Sequence, residues 1–428
     1  MFPNLNHYIN VNLLIASLCI LFLYFRKIRY YNWFMPIFIF PIIVIIWIVL
    51  GNISLDHFQD EIGWWQDVEP LIANNTAVTG LNLMLLVFIL RRPDSTNPGG
   101  IKWNLSDVVI DKKFDNFLVI TSLIIIPLNI INYSSIGGIT LFKDNLDGSE
   151  RFKFMEEMFY SKGIVMSSAL IPPLIIRLKT VNKNKILWSF LLLLHVVFAI
   201  GLGNRHFLMM PLIVLGLFLL STNNLKARIL VPGIVFFLVF SLAFSFIRGD
   251  SDDPMYESSS SFFGVEYRDY IRQVSDDLPL ENGKTMLSLI FNPVPKQAFE
   301  VMNLQKDDFS IYAPYILQKH WGNDNGQRTG IWGELHLNFG WPGVLIGFIL
   351  ISFLLMFVTK KLFRGGSSIK ERFLYSYLFS LLMFSIIGAW GTIGDDLGTY
   401  GVIYLIFALN CFKKNCYEAS GDSDYINE

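Results

Sequence analysis

The chain has 428 residues, of which 53% are hydrophobic and only 16% are charged. Soluble domains usually carry about 25% charged residues, so this composition, with a mean hydropathy of +0.46, excludes an ordinary soluble enzyme. The net charge of −1 provides no attraction for nucleic acid, which we exclude as a partner. Apolar runs of span length recur along the chain, and lipid requires backbone hydrogen bonds to be made internally. We therefore predict an all-α polytopic membrane protein.

Eleven apolar segments are predicted to span the membrane. They lie at 9–25, 34–50, 77–90, 117–132, 163–176, 186–203, 207–221, 229–246, 338–358, 373–393 and 398–412. The basic flank of the first segment follows it, the reverse of a cleavable signal peptide, so we predict a retained span. The predicted organisation is spans one to eight in 1–246, an extracytoplasmic loop at 247–337, spans nine to eleven in 338–412 and a cytoplasmic tail at 413–428.

The distribution of basic residues predicts which side each connector faces. With the N-terminus outside, the inner connectors and the tail carry 21 of the 34 Lys and Arg residues, the short outer segments carry 5, and the long loop carries 8. The positive-inside rule discounts long loops, so this bias places the N-terminus outside and the C-terminus inside. The long loop has 14 acidic residues and many aromatic ones, which favours a folded lid with a helix around 262–274.

Arg205 and His206 interrupt an apolar stretch of 35 residues from Ile186 to Leu220. Since one helical span takes about 20 residues, the stretch is predicted to hold two spans with the arginine at the turn between them. A cation at so short a turn is costly in a membrane unless it binds something. Arg205 is therefore our first candidate for a catalytic residue, the alternative being an interfacial anchor. His195, inside one of the two spans, is predicted to be packed and hydrogen-bonded.

Further arginines are predicted on the same outer face, namely Arg151, Arg248 and Arg328. Guanidinium groups present a planar fork of donors that matches phosphate oxygens, and fixed cations stabilise the charge on a pyrophosphate leaving group. Glu334 or His320 could take the proton from an attacking hydroxyl as a catalytic base. We therefore predict a headgroup site beneath the long loop, in which these three arginines bind pyrophosphate or sugar.

Two further sets of residues are predicted at this face. Aromatic side chains in the long loop could stack on sugar faces: Tyr256, Tyr267, Tyr270, Trp321 and Trp332. Asp395 and Asp396 are predicted to form a short turn after span ten. No metal cluster is expected from the cysteines, which fall in predicted spans and in the tail.

Three features of the chain resemble a known family. They are Gly203-Asn-Arg205 opening a span, the long outer loop, and the run Gly333-Glu334-Leu-His-Leu-Asn338-Phe-Gly340-Trp-Pro-Gly343 leading into the next span. Their combination resembles oligosaccharide repeat-unit polymerases, the O-antigen polymerases of the Wzy type, over about residues 130 to 412. Within this pattern Arg205 fits the arginine that opens a span, and Glu334 fits the acidic position before Asn-Phe-Gly.

The resemblance implies a glycosyltransferase of the lipid-dependent, multi-span GT-C type in the bacterial inner membrane. Such an enzyme polymerises undecaprenyl-pyrophosphate-linked oligosaccharide repeat units on the periplasmic face. It uses no nucleotide sugar and no metal or other cofactor. Its implied partners are the lipid-linked oligosaccharide and membrane lipid, and a chain-length regulator is a further partner left open.

Two alternatives remain open at this point. One is the related O-antigen ligase, which transfers the finished glycan to lipid A core. The ligase pattern of His followed by Asn, Ser or Gln is not met, because Trp321 follows His320, and this departure favours the polymerase. The other alternative is a flippase or transporter of the lipid-linked unit. Transporters more often carry charged residues inside their spans, whereas the predicted spans of this chain contain no Lys, Arg, Asp or Glu in their interiors.

Overall fold

The computed structural model describes most of the chain. The described residues are 5–28, 35–60, 67–91, 105, 109–139, 158, 160–181, 183–201, 206–225, 265–292, 294, 296–305, 311, 313–321, 330–363, 367–386 and 390–412. Within them the chain is 82% helical and has no strand, which confirms the predicted all-α class for this part of the protein.

The helices of the described residues are numbered here in chain order. They are α1 (Leu5–Tyr8), α2 (Val11–Ile28), α3 (Pro36–Asp60), α4 (Leu71–Leu90), α5 (Asp111–Ser135), α6 (Lys162–Thr180), α7 (Lys185–Ile200), α8 (His206–Ser221), α9 (Val265–Ser275), α10 (Ser288–Phe291), α11 (Lys296–Val301), α12 (Ala313–Trp321), α13 (Ile331–Phe363), α14 (Ile369–Phe384) and α15 (Trp390–Cys411).

Five of these helices are long and apolar enough to cross a membrane: Pro36–Asp56 of α3, and the whole of α4, α5, α6 and α13. Val11–Arg26 of α2, together with α7 and α8, are shorter apolar helices. These eight coincide with predicted spans one to seven and nine. Predicted span eight, at 229–246, lies outside the described residues. The apolar helices indicate a membrane protein, and the total of eleven spans stays a prediction.

The last helix differs from its prediction. The sequence predicts a turn at Asp395 and Asp396, but α15 already begins at Trp390 and both aspartates lie within it. Their low hydropathy suggested a break in the apolar pattern. In the folded chain Lys162 pairs with Asp395 and His206 pairs with Asp396, although both partners are distant in sequence. The two carboxylates can therefore lie within a helix, because each has a partner.

The long helix α13 is divided at Gly340, which has φ 65° and ψ −160°, a conformation that favours glycine. Pro342 follows and lacks a backbone donor. Beyond the break, Trp341 is exposed, as is typical of aromatic residues at a membrane interface. From Trp341 to Lys360 a helix rises about 29 Å, close to the thickness of a hydrocarbon core. We therefore predict that the segment Ile331–Phe339 extends beyond the span, into the interfacial region.

One end of the bundle, which we call the α9 face, gathers α9, the N-terminal ends of α4, α6, α8, α13 and α15, and the C-terminal ends of α3, α5, α7 and α14. Lys162 at the start of α6 pairs with Asp395 of α15 at 2.7 Å. The Tyr267 hydroxyl of α9 donates to Asn74 Oδ1 of α4 at 2.8 Å. Further hydrogen bonds join the remaining ends. The predicted topology also places these helix ends on one side of the membrane. That this is the outer side is a prediction from the distribution of charged residues.

The opposite end of the bundle is held by two buried arginines. Arg372, in the first turn of α14, donates to the carbonyl oxygen of Leu362 at 2.8 Å and to that of Ser221. It thereby satisfies carbonyls at the C-terminal ends of α13 and α8. Arg177 in the last turn of α6 binds Asp115 of α5, with Nε to Oδ1 at 2.7 Å. These buried cations are paired with acceptors within the described part of the bundle.

We expect Gly394→Ala to destabilise the protein, because α10 packs directly against α15 at this position. A Cβ on Gly394 would lie 2.8 Å from the carbonyl carbon and 2.9 Å from the Cα of Leu289. Overpacking of this kind costs about 1–3 kcal/mol. The midpoint of thermal unfolding in detergent, followed by tryptophan fluorescence, measures the loss.

Gly401→Ala is the matched control in the same helix. Its Cβ would lie 3.4 Å or more from every neighbour, which is ordinary contact, and alanine improves helix propensity by about 1 kcal/mol. We expect this variant to unfold at or above the wild-type midpoint. Equal midpoints for the two variants would contradict the close approach of α10 to α15.

Candidate active site

Helix α9 is a polar helix buried among apolar ones. It lies in the long loop close to the helix predicted at 262–274, but it packs against α3, α4 and α13. Glu266 and Asp269 are each 1% exposed. Glu266 accepts a hydrogen bond from Trp47 Nε1 at 3.2 Å, and Arg268 pairs with Asp269 at 2.9 Å. Buried charges are costly unless they are paired, so these contacts fix α9 in the bundle and do not fit a detached lid.

The tyrosines of α9 and the neighbouring Trp332 of α13 have a different role from the predicted one. Tyr267, Tyr270 and Trp332 belong to the hydrophobic core, with ring centroids of Tyr267 and Tyr270 5.5 Å apart and of Tyr267 and Trp332 5.3 Å apart. Burial raises the pKa of both tyrosines, so their phenols stay neutral. The prediction that these three stack on sugar is wrong, because they are enclosed by the helices that hold α9. Tyr256 lies outside the described residues.

Trp321 keeps a position near the surface at the end of α12. Its Nε1 donates to Asp276 Oδ2 at 2.6 Å, and the guanidinium of Arg272 lies 4.2 Å from its ring centroid. A cation over the face of a tryptophan is an attractive arrangement. The indole is therefore held on one side by α9 and the turn that follows it. Among the described aromatic residues that were predicted to stack on sugar, Trp321 is the one that remains partly exposed.

Glu334 is fully buried in the first turn of α13. The Thr285 hydroxyl donates to Glu334 Oε2, and the Asn338 amide donates to Thr285 Oγ1. The same amide nitrogen reaches the Glu334 carbonyl oxygen at 2.7 Å, one helical turn away. Two residues of the Gly333–Gly343 motif are thus joined through a threonine that is distant in sequence. The arrangement holds the carboxylate of Glu334 in one orientation.

His320 has a contrasting environment. It lies in the last turn of α12, and its side chain is exposed. The structure therefore places the two predicted proton acceptors differently, with Glu334 enclosed and His320 open to solvent.

A second cluster of charged groups lies at the start of α8 and α15. His206 Nε2 and Asp396 Oδ2 are 2.8 Å apart, with side chains that are 19% and 6% exposed. Beside them Lys162 pairs with Asp395 at 2.7 Å, and these side chains are 32% and 42% exposed. An exposed pair contributes little because solvent screens it, whereas a carboxylate as buried as Asp396 depends on its partner. His206 and Asp396 are therefore the tightly coupled pair.

Helix α10 connects the two clusters. Thr285, which binds Glu334, also accepts a hydrogen bond at its carbonyl oxygen from Ser288, the first residue of α10. The next residue, Leu289, lies against Gly394 of α15, immediately before the paired aspartates. The set that results, which we call the polar end site, consists of Lys162, His206, Thr285, Glu334, Asn338, Asp395 and Asp396.

The predicted arginines Arg205, Arg151, Arg248 and Arg328 lie outside the described residues, so their roles remain predictions. The sequence analysis did not single out Lys162 or Thr285, since each acquires its role from a partner more than 45 positions away. His206, Asp395 and Asp396 could be recognised in the sequence, because they are ionisable residues within apolar surroundings. The sequence pattern does not show that His206 pairs with Asp396, 190 positions away. His195 is hydrogen-bonded as predicted, to Ser122 and Ser167, at 3.0 Å each.

Comparison of the chain with protein-family models, with curated proteins and with solved structures finds no match. The case for a function therefore rests on the residues of the polar end site and on their geometry.

We expect Thr285→Val to destabilise the protein by about 1–3 kcal/mol, the usual consequence of leaving a buried acceptor without its donor. Valine keeps the shape of threonine but removes the hydrogen bond to Glu334 and the acceptor for Asn338. Thermal unfolding in detergent gives the change in midpoint.

The control is Thr359→Val in α13. Thr359 is 1% exposed, and its hydroxyl has no hydrogen-bond partner within the described part of the chain. Valine should be neutral or stabilising there, because no hydrogen bond is lost. A Thr285→Val variant as stable as Thr359→Val would show that the Glu334 hydrogen bond does not support the fold.

Proposed function

We propose that this chain is a GT-C-type glycosyltransferase of the bacterial inner membrane that polymerises undecaprenyl-pyrophosphate-linked oligosaccharide repeat units on the periplasmic face. The observation that carries the proposal is the convergence of acidic, basic and imidazole side chains at one end of an apolar bundle. Lys162, His206, Glu334, Asp395 and Asp396 all lie at the α9 face. A reaction on a lipid headgroup requires this one-sided placement.

The depth of the polar end site suits a lipid-linked substrate. Trp341 marks the membrane interface on α13, and Glu334 lies seven residues earlier in the chain. These seven residues include the break at Gly340, so Glu334 belongs to the segment that we propose to lie in the headgroup region. The headgroup region of a bilayer is about 5–8 Å thick on each side. A pyrophosphate attached to a membrane-embedded polyprenyl chain lies at this level.

The reaction transfers a glycan from one lipid to another. The bond between the anomeric carbon and the pyrophosphate oxygen breaks, and its electron pair leaves with undecaprenyl pyrophosphate. A hydroxyl of the acceptor repeat unit forms the new bond to the anomeric carbon and gives up its proton to a base. We assign Arg205, Arg151, Arg248 and Arg328 to the pyrophosphates and sugars, because fixed cations stabilise the charge that grows on the leaving group.

The acidic and imidazole groups would handle the proton. The sequence predicts Glu334 or His320 for this step. Glu334 is enclosed and accepts a hydrogen bond from Thr285, just before α10. It is therefore better placed to hold α10 against α13 than to receive a proton from substrate. His320 is exposed at the end of α12, where a hydroxyl could reach it.

We expect Arg205→Ala to abolish long-chain surface polysaccharide, because one fixed donor at a developing anion contributes about 100-fold or more to the rate. The gene is deleted in its own bacterium and restored as wild type or as variant. Surface polysaccharide is then separated on a gel, and membrane levels of the protein are measured by immunoblot.

The control is Arg91→Ala, an exposed arginine at the C-terminal end of α4, opposite the α9 face. We expect it to leave the ladder unchanged. A normal ladder from Arg205→Ala would refute the role of Arg205. In the deletion strain, core capped with single repeat units supports a polymerase. Uncapped core with lipid-linked polymer outside the membrane indicates the ligase, and lipid-linked single units retained inside indicate a flippase.

A further inference from the structure

We propose that His206, oriented by the carboxylate of Asp396, is the general base that takes the proton from the attacking hydroxyl. This inference rests on the proposed glycosyl transfer and names the proton acceptor within it. It replaces Glu334 and His320, the two proton acceptors that the sequence predicts, by the pair His206 and Asp396, which only the folded chain brings together.

The geometry fixes the imidazole of His206 from two sides. Asp396 Oδ2 lies 2.8 Å from Nε2. The ring of Phe384 meets the imidazole edge to face, with centroids 4.4 Å apart. Asp396 is 4% exposed, and its own carbonyl oxygen accepts a hydrogen bond from the Tyr377 hydroxyl at 2.9 Å. The Tyr377 hydrogen bond holds the backbone of α15 at this residue, and the buried carboxylate holds the ring in one orientation, as a base needs for proton transfer.

The pairing also selects the tautomer. A carboxylate accepts only, so a neutral imidazole places its proton on Nε2 and its lone pair on Nδ1. The hydrogen position is inferred from the partner, in the usual way for histidine. When Nδ1 takes the hydroxyl proton, the oxygen keeps the electron pair with which it bonds the anomeric carbon. The imidazolium that forms is stabilised by the charge of Asp396, and undecaprenyl pyrophosphate departs as the anion.

The partial exposure of His206 separates it from the other candidates. Its side chain is 19% exposed while that of Asp396 is 6% exposed, so the imidazole lies on the accessible side of the pair. Glu334 is fully buried, and its carboxylate already accepts from Thr285. His320 is exposed and has no carboxylate partner among the described residues. His206 alone of the three combines access with an orienting anion in the described structure.

Other titratable groups surround the pair and bear on its dependence on pH. On the neighbouring helices they are Lys162, Asp395, Tyr377, Tyr400 and Tyr404. Lys162 and Asp395 neutralise each other. Phenols carry no charge in the range where an imidazole titrates. In the described structure Asp396 is therefore the charged group that faces the imidazole of His206.

The test uses the full-length protein purified in detergent and lipid-linked single repeat units extracted from the deletion strain. Initial rates of polymer formation are measured from about pH 5 to 8, the range in which histidine titrates. We expect the wild-type rate to rise with pH. His206→Gln keeps a donor for Asp396 but cannot accept a proton at neutral pH, so we expect kcat to fall about 100-fold or more and the rise with pH to vanish.

Asp396→Asn keeps an acceptor for Nε2 but removes the charge. We expect a lower kcat, because the charge that stabilises the imidazolium is lost. Asp396→Glu should restore part of the rate. His7→Gln, an exposed histidine on α1, is the control and should match the wild type in rate and pH profile.

The outcomes separate the inference from the proposed function. A wild-type protein that makes no polymer overturns both. If the wild type is active and His206→Gln has the same kcat and pH profile, the inference alone is overturned. A lower unfolding midpoint with an unchanged pH profile would show that the pair only ties α8 to α15, which also overturns it. Loss of the pH dependence in His320→Gln, with its retention in His206→Gln, would assign the base to α12.

Discussion

The burial of a charged helix in an apolar bundle is the constraint on which the rest of the structure depends. The side chains of α9 include Glu266, Arg268 and Asp269, and each is at most 8% exposed. Such groups are tolerated only where partners are supplied. Trp47 of α3 donates to Glu266, and Asn74 of α4 accepts from the hydroxyl of Tyr267 on the same helix. Because α9 must satisfy its polar groups, it draws the ends of α3, α4 and α13 together, and the first turn of α13 then lies enclosed beside it.

This enclosure decides the environment of Glu334. The residue lies in the part of α13 that precedes the break at Gly340, and it is shielded from solvent. Its hydrogen bond to Thr285 connects it with α10, which packs closely on α15. The acidic residue of the motif is thereby linked to the pair His206–Asp396 on the other side of the site. A carboxylate in this position supports the alignment of helices, whereas the side chain of His206 is 19% exposed.

Hydropathy predicted much of the fold, since eight apolar helices coincide with predicted spans one to seven and nine. Predicted span ten, at 373–393, instead runs past the end of α14 at Phe384 and into α15, which begins at Trp390. Two predictions failed for the same physical reason. Asp395 and Asp396 were assigned to a turn, and Tyr267, Tyr270 and Trp332 to a sugar-binding surface, because each was judged by its own polarity. Partners far away in the sequence pair with the aspartates, and neighbouring helices enclose the aromatic rings. Local patterns carry no information about such partners.

The sequence by itself determined the helical class, the approximate positions of most spans, and the presence of ionisable residues at the ends of apolar segments. It could do so because a lipid environment imposes length and polarity rules on each segment separately. The tertiary structure decided which ionisable groups meet. The pair His206–Asp396 joins residues 190 positions apart, and the contact of Thr285 with Glu334 joins residues 49 positions apart. These contacts depend on how the helices pack at the α9 face, and packing is a property of the whole bundle that no single segment encodes.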